Sequence, residues 1–506
     1  PASALDRDPL DTAPMSAILG PMTRRRWPRV LLPILLFCGT TSADRPADET
    51  SPAPNIVFIV ADDHRADHLG CAGRTGIETD AIDGLAARGV RFDRAYCQGS
   101  TSPAVCLPSR ARLISGRSDW TTPNWRAALR RADFPLWPEV LREAGWRTHH
   151  VGKWHGGRPW FDRCFEGGSS VLFGGMGSHT TLPVVDVEPG REDARRRLEA
   201  YSSDEFADRA AAFIETCATD DDDRPFVLSL SFTAPHDPRT PPDDDEAIRA
   251  RARSIELPPN ILPVHPFDNG EMTIRDEELI AWPREPAALR EEIARYDLMI
   301  ENMDRGIGRV LATLDRHGLT EDTLVVFAGD HGLALGSHGL LGKQNLYEHS
   351  MRSPLVIAGP GFPEGETRDD FAYLHDLPST ILAGVGVEIP ETMDGLDLHH
   401  PTSRSGVLTR YRDLQRAWRD DRWKVIWYPR IDRWQVFDLA ADPDEQVDLA
   451  RDPAHAARVA AMRRALEQAR AEHGDDAALL TDRIELETFD ADAAEAARRR
   501  KDHWRR

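Results

Sequence analysis

The chain has 506 residues, 41% of them hydrophobic, which is enough to build two or three domains or one large α/β domain around a sizeable core. Its formal charge of -21 argues against nucleic acid or an anionic membrane as the main partner, while allowing a local basic pocket for a small anion. Only four of the 63 basic residues are lysine (Lys153, Lys343, Lys424 and Lys501), which marks them as candidates for places that need a compact ammonium rather than a planar guanidinium.

Read in chain order, "MTRRRWPRVLLPILLFCGTTSA" (22–43) puts a basic run before an apolar stretch and ends on small residues. That is the layout of a secretory signal, with cleavage expected after Ala43. The stretch is too short for a membrane anchor and no other stretch is apolar enough to span, so a periplasmic or secreted protein is expected. Residues before Met22 are read as an upstream extension. After a Pro- and Asp-rich linker (44–54), "NIVFIVADDHRADHLG" opens with a continuous apolar run over 56–61. This predicts a strand buried on both faces of a largely parallel sheet, ending in Asp62 and Asp63. "HHVGKWHGG" places Lys153 and His155 on one face of an extended segment. "PFVLSLSFTAPHDPR" predicts a strand over 226–232 followed by His236, and residues 289–318 read as a helix. "DTLVVFAGDHG" predicts a strand over 323–328 that breaks into Asp330 and His331.

From about Gly406 two short aromatic-rich strands and a helix over 453–473 predict a small antiparallel sheet with a helix on it. The acidic runs 220–223 and 243–246 read as exposed loops, and the basic end of the chain as a solvated tail. Cys71, Cys97, Cys164 and Cys217 allow up to two disulfides in an oxidising compartment, which leaves Cys106 as the odd thiol. Strands alternating with helices predict an α/β layered sandwich, in which polar residues just past strand C-termini line the ligand crevice. Asp62, Asp63, Asp330 and His331 would there form a carboxylate-rich site suited to Ca²⁺ or Mg²⁺ more than zinc. Lys153, His155, His236 and Lys343 beside that ion would receive a tetrahedral oxyanion and supply proton donors.

"CLPSRARLISGR", beginning at Cys106, resembles the signature of the type I sulfatases. "NIVFIVADDHRADHLG", "GKWH", "SFTAPHDP", "FAGDHGLALGSHGLLGK", "YEHSMRSPL" and "VFDLAADPDE" follow in that family's order, in a manner most similar to its iduronate-2-sulfatase and choline-sulfatase branches. The resemblance implies an alkaline-phosphatase-like sandwich, a large mixed and mostly parallel sheet between helices, with a small C-terminal antiparallel-sheet subdomain. The expected division is a catalytic domain at 44–405, the subdomain at 406–475 and a tail at 476–506. It further implies that a maturation enzyme oxidises Cys106 to Cα-formylglycine (3-oxoalanine). One hydroxyl of the hydrated aldehyde attacks sulfur and the other later expels sulfate. By the same resemblance Asp62, Asp63, Asp330, His331 and the Cys106-derived diol hold one Ca²⁺, with His331 standing where the family often has Asn. Arg110 orients the diol, Lys153 and Lys343 neutralise sulfate oxygens, His155 assists sulfate release and His236 protonates the leaving alcohol. Leu107 stands where many members have a small or polar residue. The expected substrate is a sulfated saccharide or small sulfate ester, with Trp120, Trp125, Trp154 and Trp160 as candidate rim aromatics. Two other readings are a phosphomonoester or phosphonate hydrolase of the same superfold, and a non-catalytic relative in which Cys106 stays a thiol or pairs with Cys97.

Overall fold

Strand β1 (Asn55–Ala61) alternates its side chains between two cores. Ile56, Phe58 and Val60 enter one apolar cluster, and Val57, Ile59 and Ala61 enter the other. This is why the run is apolar throughout: the strand lies at the centre of a sheet covered on both faces. The computed structural model describes residues 53–122, 124–131, 133–475, 479 and 489–505. The expected signal segment, and most of 476–488, lie outside the described residues.

Besides β1, the sheet contains β2 (Gly89–Phe92), β3 (Arg147–Lys153), β4 (Gly167–Leu172), β5 (Pro183–Val187), β6 (Ala194–Arg197), β7 (Phe226–Ser231), β8 (Thr323–Gly329), β9 (Leu355–Ala358) and β10 (Glu366–Arg368). Their spatial order is β10-β2-β9-β8-β1-β7-β3-β4-β5-β6. The central five, β8-β1-β7-β3-β4, run parallel, so their C-terminal ends meet at one edge. Register then fixes the neighbours: Ala61 pairs with Gly329, which sets Asp62 beside Asp330, and Gly152 pairs with Ser231 one residue before Lys153. One face of the sheet is covered by α2 (Ser202–Thr219) and α3 (Pro286–Arg316), and α1 (Cys106–Ser115) contributes Ala111, Leu113 and Ile114 to the cluster on the other.

The small sheet is larger than predicted. Strands β11 (Gly406–Tyr411), β12 (Gln415–Asp420), β13 (Trp423–Tyr428) and β14 (Arg433–Asp438) form an antiparallel meander, and Gly99–Ser100 adds in parallel to β11. The first two strands escape an apolar-pattern reading because their buried arginines look polar. Arg410 and Arg416 are 5% and 1% exposed and bond Asp119 and Asp475. Helix α4 (Ala456–Glu472) packs on this sheet through Val459, Met462 and Leu466.

Three local expectations are corrected. The basic end is not a solvated tail: α5 (Ala491–Arg505) docks through Glu495, which accepts the Trp282 amide, and through Lys501 on Glu278. Its helix-forming composition and the i,i+3 and i,i+4 pairs of Glu495 with Arg498 and Arg499 explain why it is ordered. The run 243–246 is a helix start, with Asp244 Oδ1 accepting the Glu246 and Ala247 amides. No disulfide forms among the described cysteines: Cys71, Cys97, Cys106, Cys164 and Cys217 are all free. Cys97 packs on Met351 (S–S 3.9 Å) and Cys164 fills apolar core, which removes the Cys97–Cys106 disulfide from the readings.

Candidate active site

Asp62 and Asp63 leave β1, Asp330 and His331 leave β8, Lys153 ends β3 with His155 two residues on, and His236 follows β7. Helix α1 aims its first turn at this edge. Cys106 is its first helical residue, Pro108 sits where no intrahelical amide is required, and Gly116 closes it in a left-handed conformation. Arg110 lies one turn on from Cys106, on the same face. Every sequence-predicted site residue is therefore brought to one edge.

The contacts are short. Lys343 Nζ donates to Asp63 Oδ1 and Oδ2 (2.7 and 3.0 Å) and reaches Cys106 Sγ at 3.2 Å. Lys153 Nζ pairs with Asp62 Oδ2. Arg110 forks, with Nε on Asp330 Oδ2 (3.1 Å) and Nη1 on the Lys153 carbonyl (2.9 Å). Three carboxylates and three cations are thus buried together. Burial alone would raise the pKa of Asp62, but Lys153, His236, Arg110 and Lys343 outweigh it and hold the group well below the usual carboxylate range. Asp63 is lowered in the same way against burial, by His236, Lys343 and His331. Burial, followed by Asp62, pushes the Cys106 thiol well up, so as a thiol it would be a protonated and poor nucleophile. Burial, then Lys153 and Arg110, take His155 down to about 2, which keeps its imidazole neutral.

Asp63 has φ +66°, a left-handed conformation uncommon for a residue with a Cβ. Its amide donates to Asp330 Oδ1 (3.0 Å), and its carbonyl accepts from Tyr296 Oη (2.6 Å), which itself accepts the Arg65 amide (2.8 Å). Tyr296, from α3, therefore braces the turn carrying both carboxylates. Tyr296→Phe leaves a buried carbonyl and amide without this partner and is expected to cost about 1–3 kcal/mol, read as a lowered unfolding temperature.

His331 Nδ1 faces the Gly332 carbonyl (2.9 Å) and so carries the proton. Its Nε2 lies 3.1 Å from Cys106 Sγ, 3.3 Å from Asp63 Oδ1 and 3.5 Å from Asp330 Oδ1. Ligand atoms of Asp62, Asp63, Cys106 and His331 lie within 4.8 Å of one another. Asp330 stands outside that group by distance, with its oxygens accepting from Arg110 Nε and the Asp63 amide. Asp62 Oδ1 and Arg110 Nη2, 3.8 Å apart, are buried without hydrogen-bond partners. An orphaned carboxylate oxygen beside a second carboxylate and an imidazole nitrogen fits a divalent cation. A second grouping, Asp63, His236 and Asp237, shares Asp63 with the first. There Arg275 takes both Asp237 oxygens (2.6 and 2.7 Å), which leaves Asp237 ion-paired rather than open to a metal.

Residues to which the sequence reading gave no role support the site. Ser109 Oγ donates to the Asp330 carbonyl (2.6 Å) and clamps α1 to the end of β8. Gln344 accepts the Lys343 amide (3.0 Å) while donating to Asp276 (2.9 Å), which fixes the Lys343 loop. The rim reading of the tryptophans is corrected: Trp125, Trp154 and Trp160 are buried in core, and the half-buried Trp120 lies under Arg410 on the small-sheet side.

Residues 54–387 match the sulfatase family model. The chain belongs to the sulfatase family. Residues 336–472 of this sulfatase also match the model of the C-terminal part of N-sulphoglucosamine sulphohydrolase. An N-acetylglucosamine-6-O-sulfatase of Bacteroides thetaiotaomicron is 26% identical, over 89% of this chain and 92% of its own. A choline-sulfatase of Rhizobium meliloti is 27% identical, over 89% and 91%. Among solved structures, one in complex with its substrate D-glucosamine-2-N,6-O-disulfate superposes with a TM-score of 0.69 at 22% identity, covering 84% of this chain and 99% of that one. A phosphonate monoester hydrolase from Silicibacter pomeroyi superposes at 0.63 with 22% identity, covering 84% and 96%. The sulfatase has the alkaline-phosphatase-like α/β architecture, and its activity is that of a sulfatase. Among the described residues, no helix is long and apolar enough to cross a membrane.

Proposed function

We propose that this sulfatase is exported and removes sulfate from an O-sulfated carbohydrate, using formylglycine made from Cys106 by a maturation enzyme. The observation that carries this is the seat of Cys106: the first turn of α1, with Lys343, His331 and Asp63 within 3.5 Å of its sulfur. The hydrated aldehyde at that position would supply a hydroxyl to attack sulfur and a second one to release the product. Asp62, Asp63, Asp330 and His331 would hold one Ca²⁺ together with that group. When bound there, the ion would lower the pKa of the attacking hydroxyl. Lys153 and Lys343 bring ammonium charge to the sulfate oxygens, and the free Nη2 of Arg110 orients the nucleophile. His155 assists the diol in releasing sulfate, and His236 gives a proton to the leaving alcohol. Residues 44–405 would form the catalytic part and 406–475 the appended subdomain. The hexosamine sulfatase among the relatives and the glucosamine disulfate complex among the structural neighbours support a sulfated sugar.

The phosphonate hydrolase neighbour makes transfer of phosphoryl groups the alternative, on fold likeness alone. A doubly charged phosphate monoester asks for more cation than a singly charged sulfate ester. The second grouping that could hold a metal shares Asp63 with the first, and its Asp237 is ion-paired with Arg275. Nitrophenyl sulfate is accordingly expected to be hydrolysed with a kcat/KM at least about 10²-fold above that of nitrophenyl phosphate, a difference of about 2.7 kcal/mol in transition-state binding. A preference for the phosphate would overturn the proposal. Removal of divalent ions by a chelator is expected to abolish turnover and lower the unfolding temperature. Ca²⁺ restored at about 100 times its Kd would return about 2.7 kcal/mol of stability. An unfolding temperature and a rate both indifferent to chelator and Ca²⁺ would contradict the metal assignment.

A further inference from the structure

We infer that the loop at 173–182, between β4 and β5, positions both proton-transfer histidines, with His179 holding His236 and Gly175 setting the place of His155. The inference rests on the roles proposed above for those two histidines, and no motif drew attention to either loop residue.

His179 is 1% exposed. Its Nε2 lies 3.0 Å from the His236 carbonyl oxygen, which can only accept, so Nε2 carries the proton and donates. Its Nδ1 faces the hydroxyls of Ser202 (2.9 Å) and Thr233 (3.1 Å), and its ring stacks on Tyr201. The Ser202 amide returns a bond to the His179 carbonyl (2.8 Å), tying the loop to the start of α2. Burial takes the imidazole down to about 4, so at neutral pH it is one fixed tautomer with every polar atom used. The backbone of His236 is therefore held at its carbonyl by His179 and at its amide by the Thr233 carbonyl (3.0 Å). The His236 ring, with Nδ1 on the Asp237 carbonyl (2.7 Å), turns Nε2 toward Asp63 Oδ2 (3.8 Å), on the reacting side of the site.

At the other end of the loop, a Cβ on Gly175 would lie 2.6 Å from His155 Nε2 and 3.0 Å from Cε1. Only a glycine leaves room for the imidazole there. His155 itself has φ +60°, so its backbone is constrained as well. Between the two contacts Met176 is 45% exposed, which puts the loop tip in solvent. One surface loop thus registers two histidines that approach the site from different strands.

A residue acting through a general acid shows itself in leaving-group dependence. A sugar sulfate expels a poor alkoxide and depends on proton donation, worth about 10²–10⁴-fold, whereas nitrophenyl sulfate expels a stabilised phenolate and depends on it little. His179→Ala and His179→Asn are expected to lower kcat on glucosamine 6-sulfate by about 10–100-fold, below the full worth of the acid, with KM little changed. Turnover of nitrophenyl sulfate should stay within about threefold in the same enzymes. His179→Gln, whose Nε2 amide reaches the same carbonyl, should recover most of the loss. His236→Ala, assayed alongside, should show the same selectivity for the sugar sulfate in larger measure. Equal losses on both substrates in His179→Ala with selective losses in His236→Ala would overturn the positioning role alone. Equal losses in His236→Ala would instead overturn the general-acid assignment.

Discussion

The Cys106→Ala enzyme is expected to fold and to lose at least about 10⁴-fold in kcat, because it lacks the atom from which the nucleophile is made. Cys106 is 3% exposed, and its sulfur contributes little apolar contact, since it is surrounded by the Lys343 ammonium, the His331 imidazole and the Asp63 carboxylate. Truncating one sulfur there should change stability by only about 1 kcal/mol, so the unfolding temperature should move by only a few degrees. Steady-state rates and thermal unfolding on the same sample separate the two effects. Substantial activity in this variant would place the nucleophile elsewhere.

The Lys343→Arg enzyme is expected to keep its charge and fold but lose about 10²-fold or more in kcat. Lys343 Nζ bonds both oxygens of Asp63 while reaching Cys106, and the side chain is 4% exposed. A guanidinium is wider and planar, and the backbone cannot retreat to admit it. The Leu341 and Gly342 amides are held by Glu277 (2.9 and 2.8 Å), and the Lys343 amide by Gln344. Near-normal turnover would contradict the view that a compact ammonium is required here.

The scarcity of lysine was informative beyond the site. Lys153 and Lys343 stand against the active carboxylates, and Lys424 is buried between Glu348 and Glu445 (2.9 Å to each). Lys501 pairs with Glu278 at the docked C-terminal helix. The strand-edge reading of the carboxylates and histidines was legible because parallel strands put motif residues from distant segments side by side. That geometry follows from β8-β1-β7-β3 being neighbours in one direction.

Other features were not legible, for physical reasons. Buried arginines such as Arg410 and Arg416 look polar in sequence and hid two strands, since only their partners Asp119 and Asp475 make them tolerable in the interior. Cysteines were read from compartment chemistry, yet their side chains lie in separate surroundings and none pair. Tryptophans suggested a sugar rim and turned out to be mostly core. Tyr296, His179 and Gly175 act through contacts with residues distant in sequence, which no local pattern announces.

The most direct test of the central claim is intact-peptide mass spectrometry on the tryptic fragment 95–110 from protein made in its native host. The account predicts a fragment lighter than the encoded peptide by the difference between H₂S and O, with the change located at Cys106 and Cys97 unaltered. An unmodified thiol at Cys106 in that material would contradict it.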